Sequence, residues 1–151
     1  MLSFSVDTSA LAAAVERLRA EMPAAGRDAV KAAAEESLRR IQAPTYWKPR
    51  TGATARSFAV SVLGDYAARV ASSSPVAAFI NNGTKAHPIV ARRAKFLRFV
   101  QNGAVRFAKQ VRHPGTRAKN FEAAEQREGE RDLAEYSDSA LRRAVERSGL
   151  A

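Results

Sequence analysis

Residues 57–74 read SFAVSVLGDYAARVASSS, and apolar residues alternate with small or polar ones at the start of this stretch. Phe58, Val60 and Val62 fall on one side of an extended chain, and Gly64-Asp65 supplies a turn after them. The residues that follow, 66–74, predict a second strand that returns beside the first. Because helical patterns stand on both sides of this segment, the sequence predicts an α+β fold.

The first third of the chain has a helical period in two stretches that Pro23 separates. We therefore predict two N-terminal helices within residues 1–45, closed by Pro44, Pro49 and Gly52, which all resist helix. The apolar positions recur at helical spacing on one face of each stretch: Leu11, Val15, Leu18 and Met22 in the first, then Val30, Ala34, Leu38 and Ile41 in the second.

The last third returns to the helical period, and Gly149 is placed to end a long C-terminal helix over residues 121–149. Residues 55–112 predict a small antiparallel sheet of four to five strands with a protruding hairpin. Within that range, residues 75–82 predict a helical turn before Gly83. We expect one α+β domain over residues 1–151, with the helices packed on one face of the sheet. The C-terminal stripe comprises Leu133, Tyr136, Ala140, Leu141, Ala144 and Val145.

The hairpin is predicted around Gln101-Asn102-Gly103 and allows two registers. A two-residue Asn102-Gly103 turn mixes charged and apolar residues on both faces. A three-residue turn instead places Leu97, Phe99, Val105 and Phe107 on one face and sets Arg98 beside Arg106 on the other. We expect the three-residue turn, because it creates one face that can be buried.

The net charge of +10 is confined to the middle of the chain. Residues 1–65 carry a net charge of +2, residues 66–121 carry +11 with no acidic residue, and residues 122–151 carry −3. A basic strip therefore runs over residues 85–119. Three interpretations stay open: it binds a nucleic acid, it meets an acidic protein surface, or it forms the solvated face of a sheet.

The sequence lacks the residues that most catalytic sites and metal sites require. The chain has no cysteine, and its two histidines, His87 and His113, each precede a proline in a region without carboxylates. This is a poor ligand set for a metal, and no nucleophile-elbow or phosphate-loop pattern is present. We expect no enzymatic activity, cofactor, metal or membrane span. The N-terminus does not have the pattern of a secretory signal, so we expect a soluble protein.

Four short motifs occur in a recognisable order between residues 45 and 135. TGATARS contains Thr51, Gly52 and Ser57, and VAAFINNGT contains Phe79, Gly83 and Thr84. HPI contains His87 and Pro88, and after the hairpin HPGT contains His113, Pro114, Gly115 and Thr116. This order resembles the HK97 gp10-like family of tailed bacteriophages. Proteins of that family are neck or tail-completion proteins of the head–tail connector.

The resemblance implies a virion structural protein without a catalytic site, assembled in the host cytoplasm. Copies of the chain would form a ring that binds other phage connector and tail proteins. A further partner would be the DNA that passes through the ring. We expect complementary faces in the basic middle and in an acidic cluster formed by Glu122, Glu125, Glu128, Glu130 and Asp132. The alternative function is a sequence-independent DNA-binding module. The residues expected at partner contacts are Arg98, Gln101, Asn102, Gly103, Arg106, Arg112, His113, Arg117 and Lys119.

Overall fold

The computed structural model describes residues 7–43, 46 and 51–150, and these form two compact units. Unit 1 comprises Met1–Ser74 and Phe121–Ala151, and unit 2 comprises Pro75–Asn120. The predicted helix breaks at Pro44 and Pro49 lie outside the described residues. The α+β class is confirmed, because long helices lie at both ends of the chain and antiparallel strands lie between them.

Unit 1 is built on two long antiparallel helices, α1 (Ser9–Gln42) and α4 (Phe121–Ser148). Small residues on the facing stripes let the helices approach closely: Ala25 and Ala29 of α1 and Ala140 and Ala144 of α4 form a buried cluster. Leu18, Leu133 and Tyr136 pack around this cluster. The predicted C-terminal helix is therefore confirmed.

The prediction of two N-terminal helices was wrong, because α1 continues through Pro23. A proline inside a helix removes one backbone hydrogen bond and costs about 3 kcal/mol. The buried packing of Ala25 and Ala29 directly after Pro23 offsets this cost. The first predicted stripe is also largely exposed, since Leu11 is 56% and Val15 is 47% accessible.

The end of α4 explains that exposure. The Arg17 Nε donates a 3.0 Å hydrogen bond to the carbonyl oxygen of Ser148, the last residue of α4. Among residues 9–16 of α1, which precede Arg17, Ala14 is buried and the others are exposed. The second predicted stripe lies where the helices overlap, and its Val30, Ala34 and Ile41 are buried.

A short helix and a strand pair complete unit 1. Helix α2 (Ala53–Arg56) leads into β1 (Phe58–Val62), which pairs antiparallel with β2 (Ala68–Ser72) in the predicted hairpin. Phe58 is buried and meets the Phe121 ring edge to face at 5.9 Å. Gly26 of α1 leaves room for the Tyr66 ring, since a Cβ there would lie 2.4 Å from a ring carbon. Strands and helices thus pack on each other.

Unit 2 consists of α3 (Pro75–Asn82) and four strands. These are β3 (His87–Val90), β4 (Leu97–Gln101), β5 (Ala104–Ala108) and β6 (Gln110–His113). Strand β3 pairs with β6, and β4 pairs with β5, both antiparallel. The helical turn predicted over residues 75–82 is confirmed, and Gly83 follows it with a φ of 71°.

The prediction of a single sheet of four to five strands was wrong in detail. The described residues form three separate two-stranded sheets, β1-β2, β3-β6 and β4-β5. In unit 2, β3 pairs only with β6 and β4 pairs only with β5. No strand therefore joins two pairs into a wider sheet. Among the described residues, no helix has both the length and the apolar character of a membrane span.

Candidate interaction site

The strands of unit 2 form one long two-stranded ribbon, which we call the basic ribbon (residues 84–116). It begins at an isolated bridge between Thr84 and Thr116 and continues through β3 and β6. The Ala91 N–H then donates to the Lys109 carbonyl oxygen at 3.0 Å, and β4 and β5 follow up to the Asn102-Gly103 turn. Residues 91–96 on one side face Lys109 alone on the other, so the ribbon is interrupted there.

Two of the glycine-threonine motifs meet at the base of the basic ribbon. Thr84 and Thr116 exchange backbone hydrogen bonds of 2.9 and 3.0 Å, and their hydroxyl oxygens lie 3.1 Å apart. Gly83 and Gly115 flank this bridge with positive φ values of 71° and 94°. A Cβ on Gly115 would lie 2.3 Å from the Thr84 carbonyl oxygen. These motif residues therefore close the ribbon, because only glycine fits the approach of the two backbones.

The motif histidines form the next pair of the ladder. His87 and His113 are cross-strand partners, and their rings stack with centroids 5.1 Å apart. The His87 Nδ1 donates to the Lys85 carbonyl oxygen at 2.9 Å, whereas the His113 Nδ1 accepts from the Gly115 N–H at 3.1 Å. The following pair is Pro88 with Arg112. His113 is thus half-buried at the ribbon base and not on an open contact surface.

Helix α3 is hydrogen-bonded to the segment that follows the ribbon. The Asn81 carbonyl oxygen accepts from the Lys119 N–H at 3.1 Å and from the Asn120 N–H at 3.0 Å. Asn81 and Ala77 are buried, while Phe79 of the same helix is 57% exposed. Phe79 is therefore a motif residue whose large apolar side chain faces outward, as are Val76 and Ile89 of the same motifs. Pro114 is exposed between His113 and Gly115.

The remaining motif belongs to unit 1. Gly52 has a φ of 72° at the start of α2, and the Thr51 hydroxyl accepts from the Ala53 N–H at 3.3 Å. The Ser57 hydroxyl donates to the Thr54 carbonyl oxygen at 2.6 Å and lies 2.7 Å from the Ser72 hydroxyl. This motif shapes the entry into β1, which is a structural task.

The predicted register of the hairpin was wrong. Val100 pairs with Val105 across a two-residue turn, in which Asn102 has a φ of 53° and Gly103 a φ of 78°. Two positive φ values are what a type I′ turn requires, and Asn-Gly is its preferred sequence. Turn chemistry therefore set the register, because the face that the longer turn would have created is not buried in this molecule.

This register separates the two arginines that we expected side by side. Arg98 pairs with Phe107, whereas Arg106 pairs with Phe99 on the other face of the ribbon. Gln101, Asn102 and Gly103 form the exposed tip of the hairpin. Arg112, Arg117 and Lys119 are exposed as well.

One face of the hairpin carries three exposed apolar side chains beside Arg98, a feature that sequence reasoning missed. The ribbon apolar face consists of Val100, Val105 and Phe107, which are 65%, 45% and 65% exposed. We had expected Phe107 to be buried with Phe99, and only Phe99 is even half-buried. The Asn102-Gly103 turn was the signal that could have placed Phe107 correctly.

The cations of the chain are segregated between the units. Unit 2, which the structure describes throughout, holds ten Lys and Arg and no acidic residue, while unit 1 holds 15 basic and 15 acidic residues. Unit 2 is therefore the source of the whole net charge. Its side chains cannot form an ion pair with one another.

The predicted acidic face was wrong for two of its members. Glu125 and Asp132 both bind Arg40 of α1, at 3.1 Å to Nε and 2.6 Å to Nη1, and their side chains are 6% and 13% exposed. These carboxylates stabilise the contact between α1 and α4 and do not present a surface to a partner. Glu128 pairs with Arg131 of its own helix.

Tyr46 completes the network around Arg40. Its hydroxyl donates a 2.5 Å hydrogen bond to Glu125, and its ring lies 5.8 Å from the Phe121 ring. Partial burial, with the Glu125 hydrogen bond and charge, raises the pKa of Tyr46 to about 12. Although partial burial opposes its charge, hydrogen bonds with Asp132 and Glu125 raise the pKa of Arg40. Arg40 and Tyr46 therefore hold their protons across the physiological range.

Among the described residues, no three His, Asp or Glu side chains come together as a metal site requires. Comparison of the chain with models of protein families, with curated proteins and with solved structures finds no match. The resemblance to phage neck proteins therefore stays a prediction. Function must be inferred from the charge, exposure and contacts of the two units.

Proposed function

We propose that this chain is a structural protein of the head–tail junction of a tailed bacteriophage, where it forms part of a ring that joins the connector to the tail. Its partners would be further copies of itself and the neighbouring connector and tail proteins. It would work without catalysis, in the virion neck after assembly in the host cytoplasm. Two properties support this proposal: the order of the motifs and the open apolar surface of unit 2.

The open surface of unit 2 carries the proposal. Ala77 is the one apolar residue that is buried in this unit. Eight large apolar side chains of the unit are exposed: Val76, Phe79, Ile89, Val90, Phe96, Val100, Val105 and Phe107. Solitary exposed apolar residues are common on protein surfaces, but this density in 46 residues is typical of a surface that another protein covers.

The stability of small units leads to the same inference. A segment of this size cannot bury enough apolar surface by itself, and isolated two-stranded ribbons are marginally stable in water. A neighbouring protein that covers the ribbon apolar face would supply the missing burial. Such dependence on a partner is expected of an assembly protein.

The acidic residues of unit 1 do not favour the charge-matched ring contact that the sequence predicted. Since Glu125 and Asp132 are held by Arg40, a neighbouring copy has fewer carboxylates to offer to the basic ribbon. We therefore assign the contact between proteins to the apolar side chains, with Phe107 at its centre because it is large and 65% exposed.

Complementation of a phage that lacks this coding sequence tests the proposal. We expect the deletion to produce separate filled heads and tails, and the unchanged chain to restore joined particles. The variant V105T/F107T should fail to join them, because threonine keeps the strand propensity but removes the apolar contact. The matched control is V62T/L63T, which alters similarly exposed apolar residues of unit 1 (42% and 52% accessible) and should join heads to tails normally. Normal yields of infectious particles from V105T/F107T would contradict the proposal.

A further inference from the structure

The charge of unit 2 needs a partner of opposite charge that this chain does not contain. All ten cations lie in a segment without a single carboxylate. At least eight of the 15 acidic residues of unit 1 are already in ion pairs with its own Lys and Arg: Glu21, Glu35, Glu36, Asp65, Glu125, Glu128, Asp132 and Asp138. A second copy brings ten more cations in its own unit 2 and a unit 1 with 15 basic and 15 acidic residues, so it supplies no net negative charge. Neutralisation of unit 2 requires a different polyanion.

The cations are distributed along the whole basic ribbon and on both of its faces. Arg98 and Arg106 lie on opposite faces near the tip, and Arg112 lies near the base. Arg92, Arg93 and Lys95 are exposed in the interruption between the two strand pairs. A docking surface for one protein would concentrate its charges on one face. Protein interfaces are also depleted of lysine, and four of the ten cations of unit 2 are lysines.

The dimensions of the ribbon match a nucleic acid. The returning side of the ribbon consists of β5 (Ala104–Ala108) and β6 (Gln110–His113), whose nine extended residues add up to about 30 Å at ~3.3 Å per residue. Duplex DNA presents one phosphate charge per ~1.7 Å of its axis, so the ribbon can meet many phosphates. The major groove is about 12 Å wide and admits a two-stranded ribbon.

We propose that the basic ribbon binds duplex DNA through its phosphates, without reading the base sequence. Its arginines and lysines neutralise phosphates and release the counterions that the DNA had condensed. Arg98 shares its face of the hairpin with Val100, Val105 and Phe107, and Arg106 lies on the opposite face, so each face contributes a cation to the phosphate contacts. This inference does not depend on the proposed place of the chain in a virion.

Binding of the purified full-length chain to labelled random-sequence duplex DNA, followed by fluorescence anisotropy over a salt series, tests the inference. We expect at least micromolar affinity at about 50 mM salt, and a fall of about 10³-fold by ~200 mM for six phosphate contacts. Binding that is absent at low salt, or insensitive to salt, would contradict the proposal.

Two variants of equal net charge locate the surface. R98Q/R106Q/R112Q should reduce the slope of log affinity against log salt by about 2 to 3, since each lost phosphate contact removes ~0.9. The control R19Q/R127Q/R143Q removes three exposed arginines of unit 1 and should leave the slope unchanged. Equal effects of the two variants would overturn the assignment to the ribbon. Circular dichroism of both variants checks that the helices of unit 1 remain folded.

Poly-glutamate competition separates DNA from an acidic protein partner. At equal concentrations of negative charge, unlabelled duplex DNA should displace the labelled DNA more strongly than poly-glutamate does, because the ribbon has the shape of a groove ligand. If poly-glutamate competes equally well or better, the basic ribbon is a site for an acidic protein surface and the DNA proposal is wrong.

Discussion

Removal of the Arg40 side chain should destabilise unit 1 more than any other loss of one surface arginine. Arg40 binds Glu125 and Asp132 across the α1/α4 contact and also donates to the Ser37 hydroxyl at 3.2 Å. The variant R40M keeps the aliphatic part of the side chain but leaves two carboxylates, 6% and 13% exposed, without their cation. The prediction is therefore about charge and not about packing volume.

The size of the effect follows from the burial of the three groups. Loss of one partner of a buried ion pair costs about 3–5 kcal/mol of unfolding free energy. Arg40 is 25% exposed, so water can reach part of the site and we expect the lower end, about 3 kcal/mol. In a chain of this length that loss lowers the melting temperature by roughly 6–12 °C.

Urea unfolding at pH 7, followed by the helical circular dichroism signal, measures this change. The matched control is R142M, which breaks the 2.9 Å pair with Asp138, whose two side chains are 75% and 61% exposed. We expect no measurable shift of its unfolding midpoint, because exposed ion pairs contribute little. In the triple variant R40M/E125Q/D132N the buried charges are gone, and most of the lost stability should return. Equal midpoints for R40M and R142M would refute the assignment of the helix contact to this network.

Three further predictions concern the tyrosine and the ribbon. The pKa of Tyr46 is raised to about 12 in the folded chain, so the stability that the Tyr46 hydroxyl contributes is complete below pH ~10 and is lost as the pH rises towards 12. The variant Y46F should lower the free energy of unfolding by about 1–2 kcal/mol at pH 7 and should lack this loss of stability at alkaline pH. G115A should cost more than about 2 kcal/mol and abolish hydrogen-exchange protection at the ribbon base, whereas G103A, with nothing within 4 Å, should cost only about 1–2 kcal/mol for its positive φ. V100C/V105C should form a disulfide on mild oxidation, because the two residues are direct cross-strand partners.

The disulfide prediction has a built-in control, because the chain contains no cysteine of its own. F99C/V105C joins the residues that the three-residue turn would have paired, and it should stay reduced under the same conditions. A faster disulfide in F99C/V105C would show that the hairpin uses the other register. Mass spectrometry of the oxidised proteins reads out both variants.

The parts of the fold that sequence could predict are those in which local and global signals agree. The alternation at Phe58, Val60 and Val62 gave β1 its correct position, because the Gly64-Asp65 turn allows the return strand to pair at once. The predicted stripe of α4 contained the buried Ala140 and Ala144 for the same reason, although its Leu141 is 43% exposed. In both cases the residues whose pattern predicts the strand or helix also form its packed face.

The errors have a common physical origin, because tertiary packing decided what local rules could not. Pro23 is a helix breaker by its chemistry, yet the alanines after it gain burial against α4 only if the helix continues. The hairpin was predicted from the need for a buried face, whereas the face of Phe107 is open in the single chain. The need for a buried face therefore predicted the wrong register, because this face is not buried within the chain.

The site was predictable in its charge but not in its geometry. The basic strip over residues 85–119 is a property of composition, and unit 2 carries it as expected. The pairing of Gly83-Thr84 with Gly115-Thr116 was not predicted. The two motifs are far apart in the sequence, and neither contains a local pattern that predicts its pairing partner. The burial of Glu125 depended on Arg40, and no pattern in the sequence predicted that the two side chains would meet.

Localisation of the chain in purified particles tests the central claim most directly. A phage that carries this coding sequence with a short C-terminal peptide tag can be labelled with gold-conjugated antibody and imaged by electron microscopy. Our account predicts gold at the junction between head and tail, at one position in each particle. Label on the capsid faces, at the distal tip of the tail, or absent from intact particles would contradict it.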